Sequence, residues 1–101
     1  MTQIVLVGEV SSGYKHPQQL PSGVPVTIRV PFKLHNGAVV SLRNPQVIMS
    51  IKDVDASHNE NLRINLYANG IDNNGFNANF ETWSDSAIYS LVASFVVVGD
   101  A

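Results

Sequence analysis

Between closely spaced turn signals, the apolar residues of this chain recur at every second position, and that pattern restricts it to β structure. After Asn44-Pro45, Val47, Met49 and Ile51 share one face of an extended segment, and Ile48, Ser50 and Lys52 share the other. Asp53 to Glu60 reads as a polar loop. The next segment places Leu62, Ile64, Leu66 and Ala68 inward, with Arg63, Asn65, Tyr67 and Asn69 on the opposite phase. Beyond the turn Asp72-Asn73-Asn74-Gly75, Phe76, Ala78 and Phe80 continue inward while Asn77, Asn79, Glu81 and Trp83 share the outer phase. Ser84-Asp85-Ser86 then bends the chain into a last strand, Ile88 to Val98. Both of its phases are largely apolar, with Tyr89, Leu91, Ala93, Phe95 and Val97 set against Ile88, Val92, Val96 and Val98. A strand of that kind is expected at the centre of a sheet or at a subunit contact.

The N-terminal half follows the same rule with more interruptions. Ile4 to Val10 is a first strand, and residues 11–23, with Gly13, Pro17, Pro21 and Gly23, read as a surface loop. Val24 to Leu34 alternates and is β-branched, although Pro31 lacks a ladder donor and marks an edge, a bulge or a break. His35-Asn36-Gly37 favours a tight hairpin, which is expected to return Ala38 to Leu42 beside the preceding strand. Several short strands at this spacing predict an all-β antiparallel sandwich. With 101 residues, the chain is expected to form one domain over 1–101.

Composition narrows the function. A formal charge of −2, with six Lys and Arg scattered along the chain, argues against nucleic-acid binding. The absence of cysteine excludes disulfides and thiolate metal sites. The apolar run Ile4 to Val7 is interrupted by Gly8 and Glu9, too short for a secretory signal or a membrane span. The sequence therefore reads as soluble and not membrane-inserted, either cytoplasmic or exported by a route not visible in it. Apolar residues make up 45% of the chain against 14% charged, an excess that a subunit interface can absorb. Asp53, Asp55, Ser57 and Glu60 imitate a calcium loop, but His58 stands where an EF-hand needs glycine, and the context is β. His16, His35 and His58 are isolated, with no metal-ligand spacing. No nucleophile elbow, phosphate loop or His-Glu-x-x-His is present, so no catalysis is expected.

The outer phase carries the chemistry. Trp83, the single tryptophan, aligns with two asparagines and a glutamate, and the hairpin places Arg63 on the same polar phase one strand earlier. A flat indole packs on the C–H face of a pyranose, and a guanidinium donates to neighbouring hydroxyls from a fixed fork. The other reading of these two residues is an interface anchor with no small ligand. Tyr89, taken alone, reads as a packing residue whose hydroxyl finds a local partner.

Asn61-Leu62-Arg63, Gly75-Phe76, Thr82-Trp83 and Tyr89-Ser90, with Phe32, Pro45-Gln46-Val47, Ser50-Ile51 and Asp55 upstream, fall at the spacing of the H-type lectin domain. The chain resembles that family, which includes snail agglutinins and the discoidin C-terminal domain, most strongly over residues 28–98. The resemblance implies a six-stranded antiparallel sandwich that forms a homotrimer. It implies galactose or N-acetylgalactosamine of glycoproteins or glycolipids bound in clefts between protomers, with no metal or other cofactor. Arg63 would donate to sugar hydroxyls, Trp83 would give apolar contact, Ser84 would sit in the cleft and Tyr89 would approach from the neighbouring protomer. Asp85 is a further candidate beside them. The sequence departs from the family at three places. Ser84 stands where relatives often carry histidine, and residues 15–27 hold no carboxylate where the family places an aspartate, with Ser22 and Gly23 the nearest substitutes. The stretch from Phe32 to Pro45 is longer than the family pattern. A multivalent, non-enzymatic lectin is the leading expectation. The alternative is a structural or adhesion trimer, such as a viral or cell-surface spike, that keeps the fold without the sugar site.

Overall fold

The computed structural model describes residues 2–101 and consists of strands joined by turns and loops. Six strands form in chain order: β1 (Gln3–Ser11), β2 (Val26–Pro31), β3 (Arg43–Ala56), β4 (Asn65–Asn69), β5 (Gly75–Glu81) and β6 (Ile88–Asp100). They make two three-stranded antiparallel sheets, ordered β1-β6-β3 and β2-β5-β4. This is the all-β, six-stranded sandwich expected of the sequence. The doubly apolar last strand is the centre of its sheet, one of the two positions expected of it.

Phe76 and Phe80 project from β5 into the space between the sheets and are fully buried, together with Phe32, Leu42, Leu91 and Val97. Phe76 stacks tilted on Phe32, ring centroids 6.3 Å apart, and meets Phe95 of the other sheet edge-on at 5.3 Å. The two sheets are thereby joined through one aromatic ring.

The strand expected over Val24 to Leu34 is only β2, which ends at Pro31, and the structure corrects the boundaries at four further places, each for a long-range reason. Ala38 to Leu42 is not a strand. The tight turn forms, with the Leu34 N–H bonded to the Ala38 carbonyl at 2.9 Å, but pairing ends in a single bridge between Lys33 and Val39. The amides of Phe32 and Leu42 are taken instead by the carbonyls of Asn74 and Asn73, at 2.9 and 2.8 Å. Asp53 to Ala56, read as part of a loop, continues β3, because β6 is long enough to pair with it across a register shift after Ile51. That bulge lets Val54 and Ala56 turn inward while Asp53 and Asp55 stay in water. Leu62 to Ile64 lies outside β4, which starts at Asn65. Side chains satisfy the backbone there, the Thr82 hydroxyl donating to the Arg63 carbonyl at 2.7 Å and the Ser86 hydroxyl to the carbonyl of Asn61.

The fourth correction bears on function. Asp55 pairs with Ser90 and Ala56 with Ile88, so Tyr89 is the extra residue of a bulge. Ile88 is fully buried, with Leu91 and Ala93, and Tyr89 is half-buried.

The β4–β5 turn is held by Asp72, whose Oδ1 accepts from the N–H of Asn74 at 2.8 Å and of Gly75 at 3.0 Å. Its Oδ2 accepts from Arg29 at 2.8 Å, and Arg29 also donates to the Gly70 carbonyl at 2.8 Å. The Asn74 amide foremost, with Arg29 and the Gly75 amide, holds the Asp72 carboxyl below its ordinary value of 3.8. A depressed folded-state value means a contribution to stability that is present above the ordinary value and lost as pH falls through the lower one. Denaturation of the wild type and of Asp72→Asn is therefore expected to show a constant difference above about pH 5 that shrinks below about pH 4. A difference independent of pH would show that the charge of Asp72 does not support the turn.

Candidate functional site

Three segments meet at the end of the sandwich where β5 runs out: the loop before β2, the approach to β4 and the β5–β6 connection. Thr82 is the hub. Fully buried, it forms a parallel bridge with Ser22, and its carbonyl accepts from the Gly23 N–H at 2.8 Å. Its hydroxyl holds the Arg63 carbonyl, as described above. Ser86, also buried, anchors Asn61 from four residues further on. With both ends pinned, Trp83, Ser84 and Asp85 are presented outward between them.

Trp83 leaves 43% of its surface exposed, a large apolar area for a rigid side chain on a polar end of the molecule. Ser84 adopts a positive φ of 62° and turns its carbonyl toward the loop, where it accepts from the Ser22 hydroxyl at 3.2 Å. Arg63 directs Nη1 at Asp85 Oδ1 and at the Ser86 hydroxyl, the latter at 3.3 Å. Its side chain is 27% exposed and that of Asp85 is 68% exposed, so the arginine is held from beneath while the carboxylate faces water. Both described bonds leave from Nη1, which keeps Nε and Nη2 of the guanidinium as donors for a ligand. The surface thus combines an apolar plate, a fixed cation, an open acceptor and two hydroxyls. That set can bind a polyhydroxylated ring and has no nucleophile and base for bond cleavage.

Of the residues singled out from sequence, Arg63, Ser84, Asp85, Ser22 and Gly23 are joined by direct or one-step hydrogen bonds, and Trp83 rides on the same connection. Tyr89 is not joined to them. It lies edge-on against His16 of the long loop, ring centroids 4.5 Å apart. Ser86 and His16 were not singled out, because a serine in a turn and a histidine in a Pro-rich loop carry no pattern that sequence reading can use. Residues 15–27 offer Arg63 no carboxylate, and its ion-pair partner is Asp85, from the β5–β6 turn. Among the described residues, no group of three His, Cys, Asp or Glu side chains is placed to hold a metal.

The model of the H-type lectin domain matches residues 42–98, more than half of the chain and all of the segment carrying Arg63, Trp83 and Asp85. The chain belongs to the H-type lectin domain family. It is similar to the wild-type discoidin II of Dictyostelium discoideum, with a TM-score of 0.77 and 29% identity over 99% of this chain. A structure of native recombinant discoidin II of the same organism superposes with a TM-score of 0.70, at 31% identity over 96% of this chain. The chain spans 38% and 37% of those two proteins. No curated protein matches it. The family to which it belongs is one of non-enzymatic, carbohydrate-binding domains. No helix among its described residues is long and apolar enough to cross a membrane.

Proposed function

We propose that this H-type lectin domain recognises galactose or N-acetylgalactosamine-type glycans of glycoproteins or glycolipids, in clefts between the protomers of a homotrimer. The observation that carries the reading is the Arg63–Asp85 pair beside the exposed Trp83. Arg63 donates to adjacent ring hydroxyls and Trp83 packs on the apolar ring face. Asp85 supplies the acceptor that residues 15–27 lack, since its second oxygen and most of its surface remain open. Ser22 and Ser84 close the edge with hydroxyls in place of the imidazole common at the position of Ser84. Tyr89 and its partner His16, apart from Arg63 within one protomer, approach the cleft from a neighbour in this reading.

Assembly has its own support. The outer face of the β1-β6-β3 sheet carries aliphatic side chains in two adjacent rows, Val5–Val98 and Val7–Val96–Ile48. Val7 is 60% exposed and Ile48 65% exposed, an apolar sheet face that a solitary domain would leave in water. Three weak sites on one body gain useful strength by engaging a glycosylated extracellular surface together, which suits cell adhesion. The second reading, a structural trimer with no sugar site, draws on the missing loop carboxylate.

A glycan array probed with the assembled protein tests the two against each other. Galactose-type glycans should be bound and released by free N-acetylgalactosamine or galactose, and not by mannose. A trimer that binds no glycan on the array would leave only the structural reading.

A further inference from the structure

At the opposite end of β5 the two sheets separate, and the gap between the β1 and β2 edges forms a cleft of about 400 Å³. It is remote from the sugar surface: the cleft adjoins Val30, the register partner of Phe76, whereas Thr82 follows the other end of the strand. Small-molecule sites typically occupy about 300 to 1,000 Å³ with an apolar lining and a few polar groups that fix orientation. The volume of this cleft lies in that range, and its lining mixes apolar side chains with polar ones. Its floor is Leu6, Val30, Phe32 and Phe95. Gly8 opposes Phe95 in the ladder, and a Cβ there would come within 2.6 Å of the Phe95 ring, so the glycine lets the ring lie flat across the sheet.

The rim carries Lys33 and His35, both exposed and in no ion pair among the described residues, and no Asp or Glu lines the cleft. The turn from Leu34 to Ala38 holds them in place. Eight of the nine lining residues lie before residue 42, where the family match begins, and three of them belong to the stretch after Phe32 that is longer than the family pattern. The cleft is therefore a feature of this chain's own N-terminal part and not of the matched segment.

We propose that this cleft binds a free amphipathic carboxylate, with its aliphatic chain on the Phe32–Phe95 floor and its carboxylate on Lys33 and His35. Charge complementarity selects the anion, since a cation would meet Lys33 with no acid to offset it. The buried apolar residues Leu6, Val30 and Phe32 on its floor favour a hydrocarbon body over a polar one.

The test is a titration of the ¹⁵N-labelled domain, at concentrations below micelle formation, with decanoate, decylammonium and decanol. Decanoate should give saturable shifts at the amides of Val7, Lys33, Leu34 and His35, and decanol should bind at least about tenfold more weakly. The double variant Lys33→Gln/His35→Gln, altered only at exposed side chains, should lose about tenfold or more for decanoate while its decanol binding and glycan binding stay unchanged. Equal binding of decanoate and decylammonium, or decanoate shifts confined to other parts of the molecule, would overturn the proposal. Shifts at the same amides that follow protein concentration in place of ligand would overturn it too, by making the cleft a contact between copies.

Discussion

Arg63→Ala is expected to weaken binding of a monovalent galactose-type glycan by about 10- to 150-fold. The range follows from about 1.5 to 3 kcal/mol for hydrogen bonds that involve a charged group, at 1.4 kcal/mol per tenfold. The substitution should leave the fold intact. Asp85, 68% exposed, is hydrated once its partner is gone, and exposed ion pairs are worth only about 0 to 1 kcal/mol. Ser86 keeps its bond to the Asn61 carbonyl, and Thr82 keeps its bond to the backbone of residue 63, which the substitution does not remove. Arg63→Lys should not restore binding, because an ammonium offers a point charge where the guanidinium offers a planar fork. Trp83→Ala should cost a comparable factor through lost apolar contact, and the double variant less than the product of the two, since both act on one ring. Calorimetry against a soluble glycan, with thermal melts as the control on folding, measures each factor. Full affinity in a folded Arg63→Ala domain would remove the arginine from the site.

The second large effect concerns assembly. Val7→Glu together with Ile48→Glu places two carboxylates in one row of the exposed sheet face, on either side of Val96. Both side chains already stand largely in water in the single protomer, so the fold should survive. In an assembly that buries this face, the same carboxylates lose their hydration without a partner, a cost of several kcal/mol each. Sedimentation is expected to show a trimer for the wild type and a monomer for the variant. Binding to a densely glycosylated surface should fall by about 10² to 10⁴ with the loss of avidity. A variant that remains trimeric would place the subunit contact elsewhere, and a monomeric wild type would end the trimeric reading altogether.

Much of the sandwich was legible because its strands bury one face in a regular alternation. The inward Phe76, Ala78 and Phe80 against the outward Asn77 and Glu81 needed nothing beyond the pleat, and the doubly apolar β6, expected at a sheet centre or a subunit contact, is the centre of its sheet. The pattern failed where the ladder does. Asp53 to Ala56 looked like a loop because Asp53 and Asp55 are polar, yet β6 offered a partner and a bulge kept both aspartates in water. Tyr89 followed the phase of Leu91 on paper, and one inserted residue breaks that alternation, so that Ile88 is buried with Leu91 and Tyr89 is only half-buried. Arg63 and Trp83 were picked out by an alternation that does not reach them, since Arg63 precedes β4, Trp83 follows β5, and Leu62, expected inward, is exposed. That Asp85 is the partner of Arg63 could not be read. Their pairing spans 22 positions and depends on Thr82 and Ser86 pinning two segments through backbone carbonyls.

From the sequence alone, then, came the β class, the family pattern and the two residues on which the proposed sugar binding rests. These follow from local alternation and from the chemistry of single side chains, both of which survive in one dimension. Only the tertiary structure decided where the bulges fall, that Ser22, Arg63 and Asp85 share one surface while Tyr89 does not, and that an apolar face and a cationic cleft stand open away from it. Such features arise from hydrogen bonds and packing between segments far apart in the chain, and their geometry exists only after the two sheets have closed on each other.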